Sequence, residues 1–223
     1  MSVEEAVPKE GTVVAIDGPA GAGKSSLGKR LAAALGIAFL NTGAMYRSLA
    51  REALERGVDT SDASGLARLA RAVRFSFDPG ASPPGLLVDG QPPGDDLASP
   101  EVESVVSAVA RHPEVRAVMR AEQRRLGAQG AVIEGRDIGT HVFPDANVKV
   151  FLHADPDERA VRRQTERGTG NPALAEALSR RDAQDAKTNP LVPAPDARVL
   201  DTTGRDLDDV FDEVLAMVRA ALS

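Results

Sequence analysis

Residues 18–25 read Gly-Pro-Ala-Gly-Ala-Gly-Lys-Ser, placing two glycines, a lysine and a hydroxyl in the order Gly-x-x-x-x-Gly-Lys-Ser. That spacing suits one kind of chemistry, the holding of a polyphosphate. Glycines permit a tight turn whose backbone N–H groups point inward at phosphate oxygens. Lys24 then reaches the β- and γ-phosphates, and the Ser25 hydroxyl suits Mg²⁺. Gly18, Pro19, Ala20, Gly21, Ala22, Gly23 and Ser26 complete the run that would wrap the phosphates. The flanks agree with this reading. Val13-Val14-Ala15-Ile16 is an apolar run of strand length, and Leu27, Leu31 and Leu35 repeat at helical spacing. The positive end of that helix adds to the field on the anion. The plain alternative is a glycine-rich turn with a surface lysine, and the strand–loop–helix order argues against it. The expected ligand is a nucleoside triphosphate.

A second group of residues points to a second anionic ligand. Only five of the 27 basic residues are lysine. Arginine clamps phosphate with two parallel hydrogen bonds and stabilises charge spreading over a transferring group. Arg47 and Arg136 follow apolar runs, where an acceptor would lie. Arg159, Arg162, Arg163, Arg180 and Arg181 fall in the late helices. For Arg180 a solvated helix face is the expected role. For Arg136, beside Gly135 and Asp137 at a strand end, function is expected.

Other uses of the glycine loop are excluded by what is missing. The Asp-x-x-Gly at Asp201-Thr202-Thr203-Gly204 comes after the last strand, and no Asn-Lys-x-Asp occurs, so a regulatory GTPase is not indicated. The third glycine of a dinucleotide fingerprint is also absent.

The elements needed to position these groups can be read in order. Ile37–Leu40 is a short strand, followed by Asn41-Thr42-Gly43 and a helix from about Ala44 to Arg56. Ser61-Asp62 caps a helix that turns Leu66, Ala67, Ala70 and Val73 inward. Val73, Phe75 and Phe77 alternate as in a half-buried strand, Asp78–Pro84 is a turn, and Leu86–Val88 is a second strand closed by Asp89-Gly90. Ser99-Pro100 starts a helix lined by Val102, Val105, Val106 and Val109, and another runs from His112-Pro113 to about Gly127. Ala131–Ile133 and Val148–Leu152 are core strands. Asp155-Pro156-Asp157-Glu158 starts a helix, residues 167–172 form a break, and a helix follows to about Ala186. Ala197–Leu200 is the fifth strand, before an amphipathic last helix carrying Leu207, Val210, Phe211, Val214, Leu215 and Val218. Alternating strands and helices predict an α/β fold with a five-stranded parallel sheet covered on both faces, plus a small antiparallel hairpin. Ligands bind beyond the carboxyl ends of such strands. The ends Asp17-Gly18, Asn41-Thr42-Gly43 and Glu134-Gly135-Arg136-Asp137 should therefore face one site.

Composition narrows the class. The chain has 223 residues, a formal charge of −6 and a pI near 5.2, which argues against a general nucleic-acid or membrane binder. It has no cysteine and three histidines, so disulfides are excluded and zinc is not expected. Aromatics make up 3% of residues, too few for a base-stacking platform. The expectation is a soluble cytoplasmic monomer.

Longer segments carry a resemblance. Gly18–Ser25, Thr42-Gly43-Ala44-Met45-Tyr46-Arg47, Glu134-Gly135-Arg136-Asp137-Ile138-Gly139-Thr140, Val142-Phe143-Pro144-Asp145-Ala146, Arg181-Asp182 with Asp185, and Asp201-Thr202-Thr203-Gly204 together resemble bacterial cytidylate kinases, over about residues 12–220. The resemblance implies the P-loop three-layer fold with residues 12–59, 128–162 and 188–223 as core. It also implies a nucleoside-monophosphate-binding insertion at 60–127 and a short helical lid at 163–187. It implies ATP as phosphoryl donor, Mg²⁺, and CMP or dCMP as acceptor. By the same analogy Lys24, Arg136, Arg162 and Arg181 act in catalysis. Thr42, Tyr46, Arg47 and Arg136 hold the acceptor, Ser107, Arg116 and Asp137 read cytosine, and Arg181 and Asp185 contact phosphate and sugar. That division is chemically sensible, since cytosine offers an amine that a carboxylate accepts and two acceptors that need donors. Plainer roles exist too: Ser107 bonding back to its own helix, Arg116 as a solvated face residue, and Asp137 as a partner of Arg136. The chain departs from the family in Asp185-Ala186-Lys187-Thr188-Asn189-Pro190, which lacks an expected arginine and offers Lys187 as a point cation instead. The rivals are a P-loop kinase for UMP, AMP or shikimate, and a P-loop ATPase.

Overall fold

The computed structural model describes residues 10–167 and 191–223. Five parallel strands form the central sheet: β1 (Val13–Asp17), β2 (Ala38–Asn41), β5 (Ala131–Gly135), β6 (Val148–His153) and β7 (Arg198–Asp201), in the order β2-β5-β1-β6-β7. β1 is buried along its whole length, with Val13 opposite Ala131 on one side and Val14 opposite Val148 on the other. Strand residues alternate between faces, and here the alternation divides the core in two. Val13, Ala15, Ala131 and Ile133 enter one apolar cluster, while Val14, Ile16 and Val132 enter the other.

The second cluster is covered by α1 (Lys24–Leu35) and the last helix, α7 (Leu207–Leu222). Arg30 of α1 lies 4.4 Å over the Phe211 ring and pairs with Asp208, joining the two helices. The first cluster is covered by α2 (Thr42–Glu55), α3 (Ala63–Ala72), α4 (Pro100–Ala110) and α5 (Pro113–Gly127), together with the hairpin of β3 (Phe75–Phe77) and β4 (Leu86–Val88). The expected sheet and hairpin, and the order of the helices among the described residues, are observed. Residues of the 60–127 segment share one continuous core with the sheet face.

Some boundaries move for local reasons. α2 begins at Thr42, not near Ala44, because the Asn41 side chain accepts from the Ala44 N–H at 2.8 Å and caps the helix at once. The strand predicted over 37–40 runs 38–41, and that predicted over 197–200 runs 198–201. Val73 is the last cap of α3 and not a strand residue. Ser99 caps α4 as expected, accepting from Val102 N–H at 3.3 Å with Pro100 at the first position. Glu158, in the first turn of α6 (Pro156–Arg167), accepts from Gly204 N–H at 2.8 Å and pairs with Arg162. The helix expected to end near Ala186 lies outside the described residues. Among the described residues no helix is long and apolar enough to cross a membrane.

Candidate active site

The phosphate loop sits between the end of β1 and the start of α1, at the carboxyl edge of the central strand. Gly23 is the N-cap of α1 in a left-handed conformation, φ 90°, which leaves the first helical N–H groups without a capping side chain. Gly18 is forced for a different reason: a Cβ there would run into the carbonyl oxygen of Leu152 on β6. A Cβ on Gly23 would meet nothing nearer than Arg162 Nη1 at 4.0 Å, so the mouth of the loop is open. An open turn of backbone donors at a helix N-terminus fits a polyphosphate. Lys24 Nζ donates to the loop's own Pro19 carbonyl at 2.7 Å.

α6 closes the far side of the loop. Arg159 Nη1 donates to Ala20 O at 3.0 Å. Arg162 donates to the Thr202 hydroxyl at 3.1 Å and the Thr202 carbonyl at 2.6 Å, and pairs with Glu158. Arg162 therefore stands beside the glycine loop, with its fork already held.

Two buried carboxylates lie at the same strand ends. Glu134 accepts from Ser25 Oγ at 2.7 and 3.0 Å. Burial raises its pKa, opposed by Lys24, the Ser25 hydrogen bond and Arg47. Hydroxyl, carboxylate and incoming phosphate oxygens are the hard ligands that Mg²⁺ takes, usually with only one or two carboxylates. The donor set at Ser25 and Glu134 thus fits Mg²⁺ shared with a bound phosphate. Among the described residues no group of three His, Asp or Glu could hold a metal unaided.

Asp17, the last residue of β1, accepts from Ile138 N–H and Gly139 N–H at 2.8 Å each. It thereby clasps the loop that follows Arg136-Asp137. Burial lifts its carboxyl from 3.8 to about 6, although the two backbone donors and Lys24 pull it down. A raised acid binds its proton more tightly folded than unfolded, so its share of stability is full below pH ~4 and falls away as pH rises through ~6. A shift of about two units amounts to roughly 3 kcal/mol. The stability difference between wild type and Asp17→Asn, followed by urea unfolding, should favour wild type by up to about 3 kcal/mol more at pH 4 than at pH 7.

The remaining residues line one cavity that opens onto the phosphate loop. Ala20, Gly21, Gly23, Lys24 and Ser25 form one end, and Thr42, Tyr46, Arg47, Ser107, Arg116, Arg136 and Asp137 are among the residues that line the rest. Gly18, Pro19, Ala22 and Ser26 back the loop and do not line the cavity. Thr42 is buried and its hydroxyl donates to the Glu134 carbonyl at 2.7 Å, tying the start of α2 to β5. Tyr46 is pushed up to about 12, mainly by burial. Asp137 takes Arg116 at 2.8 Å and Arg120 at 2.7 Å, both on its Oδ2. Arg116 is therefore not a solvated face residue, and the guanidiniums on Asp137 come from α5. Arg163, Arg181, Asp185 and Lys187 have side chains outside the described residues.

Sequence reasoning placed Asp17 and Glu134 at strand ends facing the site without giving them a role, and it missed Arg120 and Gln123. A polar residue ending a fully apolar strand was the available signal for the two carboxylates. For Arg120 and Gln123 the signal was the spacing from Arg116, four and seven residues along one helix face.

Residues 14–220 match the family model described as cytidylate kinase. A cytidylate kinase of Streptomyces griseus subsp. griseus is 43% identical over 226 residues, covering 98% of this chain and 97% of that protein. One from Solibacter usitatus is 42% identical over 221 residues, covering 95% and 94%. One from Geobacillus kaustophilus is 43% identical over 213 residues, covering 92% and 95%.

Proposed function

Since the chain belongs to the cytidylate kinase family, we propose that it transfers the γ-phosphoryl group of ATP to CMP and dCMP. The observation that carries this reading is the shared cavity: Lys24 and Ser25 open into the same space as Arg47, Arg116, Arg136 and Asp137. An oxygen of the acceptor phosphate attacks the γ-phosphorus, the bond to the β–γ bridging oxygen breaks, and ADP leaves with that electron pair. The acceptor oxygen is already ionised, so no protein base is required, and positioning with charge neutralisation supplies the catalysis.

Lys24 and the loop N–H groups hold the donor phosphates. Ser25 and Glu134 would hold Mg²⁺, which would neutralise charge on the donor phosphates. Thr42, Arg47 and Arg136 hold the acceptor phosphate, with Arg136 and Arg162 facing the charge that develops in transfer. Asp137 Oδ1 has no partner among the described residues and accepts the exocyclic amine of cytosine, while Arg116 and Ser107 donate to its ring acceptors. Residues 60–127 act as the acceptor-binding insertion and 163–187 as a lid that brings Arg181 and Asp185 to phosphate and sugar. The setting is the cytoplasm and the working unit a monomer.

The test is to incubate the protein with Mg·ATP and CMP, dCMP, UMP, AMP or shikimate in turn. ADP release that depends on CMP or dCMP is expected. Release dependent on AMP or shikimate alone, or independent of any acceptor, overturns the reading.

A further inference from the structure

Gln123 is 2% exposed, on the cavity side of α5, and its amide lines the acceptor end of the cavity. No hydrogen bond to its side chain is made among the described residues, although nearly every buried polar group in a folded protein has a partner. The amide is not among the side-chain atoms sealed from solvent without a partner, so it is open to the cavity that Gln123 lines. Nothing in the packing requires an amide there: the neighbouring inward positions of α5 are Val115, Met119 and Leu126. A methionine or leucine would fill the same volume.

Position on the helix says what the amide faces. Arg116, Arg120 and Gln123 share one face of α5, and helical side chains lean toward the N-terminus. The Gln123 amide therefore reaches toward the turn carrying Arg120, whose guanidinium binds Asp137 at 2.7 Å. Tyr46, Arg116 and Asp137 line the same cavity. The cations for an anion lie toward the phosphate loop, at Lys24, Arg47 and Arg136. A neutral group with one acceptor and two donors is suited to an uncharged ring that carries both amine and acceptors.

We propose that Gln123 is a further specificity-determining residue of the acceptor site, its side-chain amide hydrogen-bonding the edge of the pyrimidine base. This rests on the reading of the protein as a CMP kinase. It makes Asp137 and Gln123 two fixed points from different elements, a loop and a helix, that together orient the ring. The amide, open to the cavity in the free protein, then takes the base edge as its partner.

The test uses Gln123→Met, which keeps volume and chain length, with Gln123→Leu as a second variant. For each, thermal unfolding without ligand is measured together with Kd for CMP, for ATP and for ribose 5-phosphate. Expected are an unfolding temperature equal to or above wild type, a Kd for CMP raised about tenfold or more, and unchanged Kd for ATP. Ribose 5-phosphate, which has the sugar and phosphate without the base, should bind variant and wild type alike. Unchanged CMP affinity overturns the proposal. So does an equal loss for ribose 5-phosphate, or a fall in stability accompanied by loss of both nucleotides. Wild-type protein that binds no CMP would instead overturn the CMP-kinase reading itself.

Discussion

Lys24→Ala should fold normally and lose phosphoryl transfer to CMP by about 10³-fold or more in kcat/KM. Lys24 is the first residue of α1, and its amine lies within reach of Pro19 O at 2.7 Å. Removing it costs the bond to Pro19 O, about 1 kcal/mol of stability, against a much larger loss in the transition state. The effect is compounded electrostatically. Lys24 is among the charges that hold down the carboxyls of Asp17 and Glu134. Without it both rise, and a protonated Glu134 is a poorer ligand for Mg²⁺. Single-turnover rates with saturating Mg·ATP, alongside circular dichroism and a melting curve, decide the matter. Near-wild-type turnover in a folded variant would remove the phosphate loop from the mechanism.

Asp137→Asn should change which base is accepted more than how fast ATP is used. The carboxylate can only accept, which suits the cytosine amine and opposes the uracil carbonyl. An amide can turn and donate to that carbonyl. The ratio of kcat/KM for CMP to that for UMP should therefore fall about a hundredfold, with KM for ATP within about twofold of wild type. There is a structural cost as well. Arg116 and Arg120 both rest on Asp137 Oδ2, with side chains 16% and 27% exposed, and an amide leaves two cations without an anion. A loss of about 1–3 kcal/mol in unfolding free energy is expected. An unaltered CMP:UMP ratio would take base reading away from Asp137.

How much of this could be read from residue order depends on how local each feature is. The phosphate loop was legible because its function lies in backbone shape: Gly18 and Gly23 are set by φ and by close approach, and both are visible as glycines in a fixed spacing. The sheet and its hairpin were legible from alternation and turn residues. The Asn41 cap was read as a break in place of a helix start, since asparagine serves either purpose. Glu134 looked like one more polar residue at a strand end, because its bond to Ser25 spans 109 residues. Gln123 stands between Glu122 and Arg124 in a helix rich in charge, and only packing shows that it alone of the three is buried. Arg181 and Asp185 rest on family resemblance alone.

The position of β1 has a consequence for biosynthesis. Both strands that hydrogen-bond to it, β5 and β6, lie more than one hundred residues further along the chain. During translation the glycine loop is made early, yet its backbone has no sheet to hang from until residues near 150 have left the ribosome. The nascent chain therefore has no phosphate cradle, and the segment between can collapse only on itself. Long-range parallel pairing of this kind closes late and slowly. The two halves of the active site are completed in one event, when the central strand is finally enclosed on both sides.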